Sequence, residues 1–188
     1  MNLESQAEAG AFQWRNLFGW LGRKSESVPK ADSTQSDSGL IPFRQPGARC
    51  ILVVDDDAVL RKALEIKLKS KGYSVLTAAE GPEAIQLVRT EKPDLVLLDV
   101  DFPPDVAISW NGFSIMNWLQ RVECSKNTPV ILMTGSHRTD LAMRAKDEGA
   151  AGFFHKPLDF SALFALIEFR LKQTKEAASL ALNTAAEI

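Results

Sequence analysis

Leu95-Val96-Leu97-Leu98-Asp99 is four apolar residues that stop at a carboxylate. Lys92-Pro93-Asp94 bounds the run on one side and Pro103-Pro104 on the other. A run this short and this apolar reads as a strand buried on both faces, the pattern of a parallel sheet. Asp99 then stands at the strand's carboxyl end. In open α/β sheets this edge is where ligands bind, so an acid there is placed for chemistry.

Strand and helix patterns alternate around that strand, which predicts βα units. The strands are expected at Ile51 to Val54, Tyr73 to Thr77, Leu95 to Leu98, Pro129 to Met133 and Phe153 to His155. The first helix is expected over Ala58 to Lys71, with Leu60, Leu64, Ile66 and Leu68 as its apolar positions and Gly72 closing it. Pro82 opens the second, through about Thr90, with Ala84, Ile85, Leu87 and Val88 near its buried face. Phe113 to Arg121, Thr139 to Glu148 and Phe160 to about Lys175 supply the rest. Five strands, five helices and right-handed crossovers predict a doubly wound parallel sheet of the flavodoxin-like kind, order 2-1-3-4-5. Its switch point lies between the first and third strands, which end in Asp55-Asp56 and Asp99.

Three carboxylates converging on one edge repel, so they require a cation or partial protonation. Mg2+, a hard ion that takes a few carboxylates, a carbonyl and water, is the expected cofactor. Its ligands would be Asp55, Asp56, Asp99 and the backbone oxygen of Asp101. Thr134 and Lys156, at the ends of the fourth and fifth strands, offer a hydroxyl and an ammonium for phosphoryl oxygens. Carboxylate, metal, hydroxyl and lysine together describe phosphoryl transfer onto Asp99. Asp57 is better placed as the N-cap of the first helix. His137 and His155 have no partner spacing and read as surface or edge residues.

With these residues in order, the stretch from about Arg49 to Lys172 resembles the response-regulator receiver domains of two-component signalling. Val53-Val54-Asp55-Asp56-Asp57 is similar to the family's acidic pair, and Leu97-Leu98-Asp99 to its phospho-acceptor. Leu132-Met133-Thr134-Gly135 resembles the switch threonine and its small neighbour, and Phe154-His155-Lys156-Pro157 the invariant lysine with its cis-proline. The resemblance implies that Asp99 takes a phosphoryl group from a histidine kinase or phosphotransfer protein and later loses it by self-catalysed hydrolysis, with no conventional enzyme activity. Thr134 and Phe153 would turn inward to report the change. The family pattern is broken after Asp99, where Gly112 follows after thirteen residues rather than roughly eight, an insertion within Asp101 to Asn111. The extra carboxylate of Asp101 is expected to disfavour an incoming anion.

The same residues admit two rival readings. Leu98-Asp99-Val100-Asp101 also resembles the Asp-x-Asp motif of haloacid dehalogenase-like phosphatases, with Asp99 as nucleophile and Asp101 as acid/base. That motif normally opens its fold, whereas here it closes the third strand. A degenerate receiver acting only as a binding module needs the inserted loop to block the site.

The net charge of -2 offers no broad basic field for nucleic acid. Cys50 and Cys124 lie far apart without metal-ligand spacing, and both read as small core hydrophobes of a reduced, cytoplasmic protein. No apolar run approaches the ~18 residues of a spanning helix, and the acidic start lacks a signal peptide's basic region.

Residues 1–48 read as an extension and linker, 49–175 as the receiver, and 176–188 as a helical or frayed tail. Within the extension, Trp14, Leu17, Phe18 and Leu21 share a helical face, expected either to fold back onto the domain or to dock on a partner or membrane surface. In the last helix Phe160, Leu163, Phe164, Ile167 and Leu171 form the core face. Ala162, Leu166 and Phe169 are left as an apolar stripe on the opposite side, a candidate contact for a second copy or the Trp14 segment. No second folded domain is expected after Lys172, so output would pass by contact with a target protein.

Overall fold

A computed structural model describes residues 47–102 and 111–185. The described elements run β1 (Cys50–Val54), α1 (Ala58–Ser70), β2 (Ser74–Ala78), α2 (Gly81–Glu91), β3 (Leu95–Asp99), α3 (Gly112–Arg121), β4 (Val130–Thr134), α4 (Asp140–Asp147), β5 (Gly152–His155) and α5 (Phe160–Ala185). The five strands form one parallel sheet in the order β2-β1-β3-β4-β5, as the alternating pattern predicts. β1, β3 and β4 are buried along their whole length, because helices cover both faces.

Strand alternation divides the core. Ile51, Val53, Leu95, Leu97, Ile131 and Met133 pack with Leu64 and Leu68 of α1 and with Leu163, Ile167 and Leu171 of α5. Burial of each large side chain contributes about 1.5–3 kcal/mol, so this layer alone fixes α1 and α5 to the sheet. Leu52, Val54, Val96, Leu98 and Leu132 are also fully buried and face the layer that carries α2, α3 and α4. Ile66 departs from the expectation: it is 58% exposed, since Leu64 and Leu68 already complete the inward face of α1. Lys67 and Lys71 instead lay their ammonium groups over the rings of Phe160 and Phe164, closing the α1–α5 seam.

Caps and turns set the strand ends. Asp57 caps α1 as expected, its carboxylate accepting from the N–H groups of Val59 and Leu60. Gly72, at φ +87, turns the chain out of α1 into β2. Asn111 caps α3 through the N–H of Ser114.

Two expectations are corrected. Cys124 is exposed, whereas Cys50 is buried. In the turn after α3 it is Ser125 that points inward, its hydroxyl donating to the carbonyl of Leu119. Leu166 does not lie on the outer side of α5 with Phe169. It packs against the sheet core and over Gly152, where an added Cβ would meet its Cδ2 at 2.3 Å. At Gly152 the edge strand carries no side chain and so leaves a place for Leu166, and the predicted stripe is reduced to exposed Ala162 and Phe169, the latter 52% exposed. α5 runs on without a break past Lys175 to Ala185, so residues 176–185 of the expected tail take its helical form. Leu171 is its last buried side chain among those described, so roughly 20 Å of helix follows it. The Trp14, Leu17, Phe18 and Leu21 segment lies outside the described residues.

Candidate functional site

The parallel arrangement brings the carboxyl ends of β1, β3, β4 and β5 to one edge. Asp55 immediately follows β1, Asp99 is the last residue of β3, Thr134 the last of β4, and Lys156 immediately follows β5. The sequence-derived set is therefore gathered in one place. Asp55, Asp99 and Thr134 are buried while Asp56 is exposed.

Lys156 ties the two buried acids together. Its ammonium lies 2.7 Å from Asp99 Oδ2 and 2.8 Å from Asp55 Oδ2. Burial opposes the lysine's charge, but these two carboxylates outweigh it and hold its pKa above the usual value. The Lys156–Pro157 peptide is cis. Asp99 is 2% exposed, and burial first, then the charge of Asp55, push its carboxyl up to about 6 against the pull of Lys156 and the Asp101 N–H. Asp55 Oδ1 accepts from the N–H of Asp57, which links the acid pair to the cap of α1.

The acids also fit a divalent cation. One oxygen each of Asp55, Asp56 and Asp99 lies within 4.8 Å of the others. Asp55 Oδ2 is buried and accepts no well-directed hydrogen bond despite the nearby ammonium, so it retains lone pairs for a ligand. All-oxygen donors carrying this much negative charge suit Mg2+.

Three features escaped the sequence. Arg61, one turn into α1, donates from Nη1 to the carbonyl of Asp55. Gly112 returns the chain from the inserted loop against the backbone of Asp99, and its N–H donates to the carbonyl of Val100. The thirteen-residue spacing to Gly112 carried that signal in part, because a glycine opening a helix beside a strand end marks close approach. In the receiver reading Asp101 was expected to contribute its carbonyl and an unfavourable field. Its carboxylate instead accepts a hydrogen bond from Thr134 Oγ1, and no spacing rule announces such a contact.

Phe153 is half-buried on β5, its ring edge-on to exposed His155 with centroids 5.2 Å apart. Residues 103–110, most of the inserted loop, lie outside the described residues.

Comparison with known proteins agrees with this geometry. The response regulator receiver domain family matches residues 51–168. The chain belongs to that family. The phosphatase alternative is thereby set aside, in keeping with a sheet in which the Asp-x-Asp motif closes the third strand. This receiver is 30% identical over 133 residues to the transcriptional regulatory protein PdtaR of Mycobacterium tuberculosis, a match covering 70% of the chain and 61% of PdtaR. It is 35% identical over 127 residues to the transcriptional regulatory protein GlrR of Escherichia coli, covering 68% of the chain but 27% of GlrR. The chain thus spans less than two thirds of the length of these relatives. Among solved structures, a response regulator receiver domain protein from Clostridium thermocellum superposes with a TM-score of 0.62 at 25% identity, covering 69% of this chain and 98% of the other. Receivers act as phosphoryl-accepting signalling modules that work with histidine kinases and downstream effectors. No helix among the described residues is long and apolar enough to cross a membrane.

Proposed function

We propose that this receiver accepts a phosphoryl group on Asp99 from the phosphohistidine of a sensor kinase or phosphotransfer protein, and passes the signal on by protein contact. One observation carries the reading: Asp99 ends the central strand, nearly fully buried, with the Lys156 ammonium on one of its oxygens and Asp55 and Asp56 beside it. A carboxylate oxygen of Asp99 attacks phosphorus, the histidine N–P bond breaks, and its electron pair leaves on the imidazole nitrogen.

Each neighbour has a task. Asp55, Asp56, Asp99 and the backbone oxygen of Asp101 would hold Mg2+. That ion supplies charge neutralisation and a fixed position for a phosphoryl oxygen. Lys156 neutralises Asp99 before transfer and is placed to bond a phosphoryl oxygen after it. Thr134, already at the same edge, offers its hydroxyl to another. Phe153 would follow Thr134 inward as the readout. Attack of water on phosphorus, with departure of the Asp99 carboxylate, resets the site. The cytoplasm is the compartment proposed for this exchange, in keeping with the free thiols of Cys50 and Cys124. A self-contact through α5 would rest on Phe169 and Ala162, without Leu166.

The test is transfer from a phosphorylated histidine donor to the full chain. The donor should lose its label as Asp99 gains it, and Asp99→Asn should take none. Equal labelling of Asp99→Asn would overturn the assignment.

A further inference from the structure

Asp101 supplies the site with more than a carbonyl. Its Oδ2 accepts from Thr134 Oγ1 at 2.5 Å, while its own N–H donates to Asp99 Oδ1 at 3.2 Å. The Thr134 hydroxyl is fully buried, and its oxygen also accepts from the N–H of Ser136 at 3.0 Å. A hydroxyl carries one proton to donate. While Asp101 takes that proton, none is left for an oxygen of a group on Asp99.

We propose that Asp101 is a positioning residue that competes with the incoming phosphoryl group for the Thr134 hydroxyl, and so sets how readily Asp99 is phosphorylated. The proposal rests on the phosphoryl-acceptor reading above. A hydroxyl-to-carboxylate bond is charge-assisted and roughly twice as strong as a neutral one, so the contact holds Thr134 in one orientation. Asp101 is also exposed, so water solvates its carboxylate once released. Release moves one negative charge away from the site as the phosphoryl anion enters. Occupation of Asp99 and detachment of Asp101 are therefore coupled through a single proton donor.

The test uses the full chain, with Asp101→Ala, Asp101→Asn, Thr134→Ala and the Asp101→Ala/Thr134→Ala pair, each checked by thermal melting. Without Mg2+ or anion, Asp101→Ala should shift the Thr134 methyl and Ser136 amide resonances. With Mg2+ and beryllofluoride as the probe, Asp101→Ala should tighten binding about tenfold over wild type. Asp101→Asn keeps an acceptor and should gain less. In the Thr134→Ala background the gain should fall to within about twofold.

An equal gain in both backgrounds, or equal gains for Ala and Asn, would reduce Asp101 to a plain repulsive charge and overturn the proposal. Unchanged Thr134 and Ser136 resonances would overturn it whatever the binding result. Wild type that fails to bind beryllofluoride with Mg2+ would count against the phosphoryl-acceptor reading instead, leaving the resonances to decide the contact.

Discussion

Gly112 lies so close to Asp99 that a Cβ on it would meet the Asp99 carbonyl oxygen at 2.2 Å and the Cα of Val100 at 2.8 Å. These are backbone atoms and cannot swing aside. The inserted loop must therefore return through a glycine, and the position of the acceptor carboxylate depends on it.

Gly112→Ala is accordingly expected to destabilise the domain by about 1–3 kcal/mol, the range for forced overpacking, and to slow phosphorylation of Asp99. Chemical denaturation and a labelling time course measure both. Wild-type stability with wild-type labelling would show that the close approach is not required.

Asp99 makes stability depend on pH. Its folded pKa of about 6 lies above the ordinary carboxylate value, so the folded state holds the proton more tightly than the unfolded chain. The group's stabilising contribution is present below about pH 4 and is lost as pH rises through about 6. In Mg2+-free buffer, Asp99→Asn should raise stability near pH 7 by up to about 3 kcal/mol and change little near pH 4. Denaturation at both values decides it, and a variant no more stable than wild type at pH 7 contradicts the account.

Asp56 is the exposed member of the acid cluster. Removing one carboxylate from a hard-ion site weakens the charge match, so Asp56→Ala should weaken Mg2+ binding by at least about tenfold. The readout is the Mg2+ concentration needed to raise the melting temperature. An unchanged midpoint would remove Asp56 from the ligand set.

Leu166 and Phe169 should separate in a truncation series. Leu166 packs on the sheet core over Gly152, so Leu166→Ala should cost about 2 kcal/mol or more. Phe169 is 52% exposed, and Phe169→Ala should stay within about 0.5 kcal/mol. Equal costs would mean that α5 is rotated relative to the sheet.

The sheet order was legible because β1, β3 and β4 are short apolar runs bounded by turn residues, and the connections leave one handed route. Asp55, Asp99, Thr134 and Lys156 were legible for a related reason: each stands at or immediately after the end of a strand. Leu166 was not, since helical periodicity gives the angle of a residue but not that Gly152 leaves room beside it. Cys124 failed because an apolar label says nothing about which turn residue points inward, and Ser125 does. The Thr134–Asp101 contact joins two side chains thirty-three positions apart, which no local pattern encodes.

The most direct measurement is the intact mass of the full chain incubated with acetyl phosphate, with and without Mg2+, followed by peptide mapping. The account predicts one added phosphoryl group, dependent on Mg2+, on the peptide carrying Asp99, and none in Asp99→Asn. Phosphorylation at another residue, or none in wild type with Mg2+ present, would contradict it.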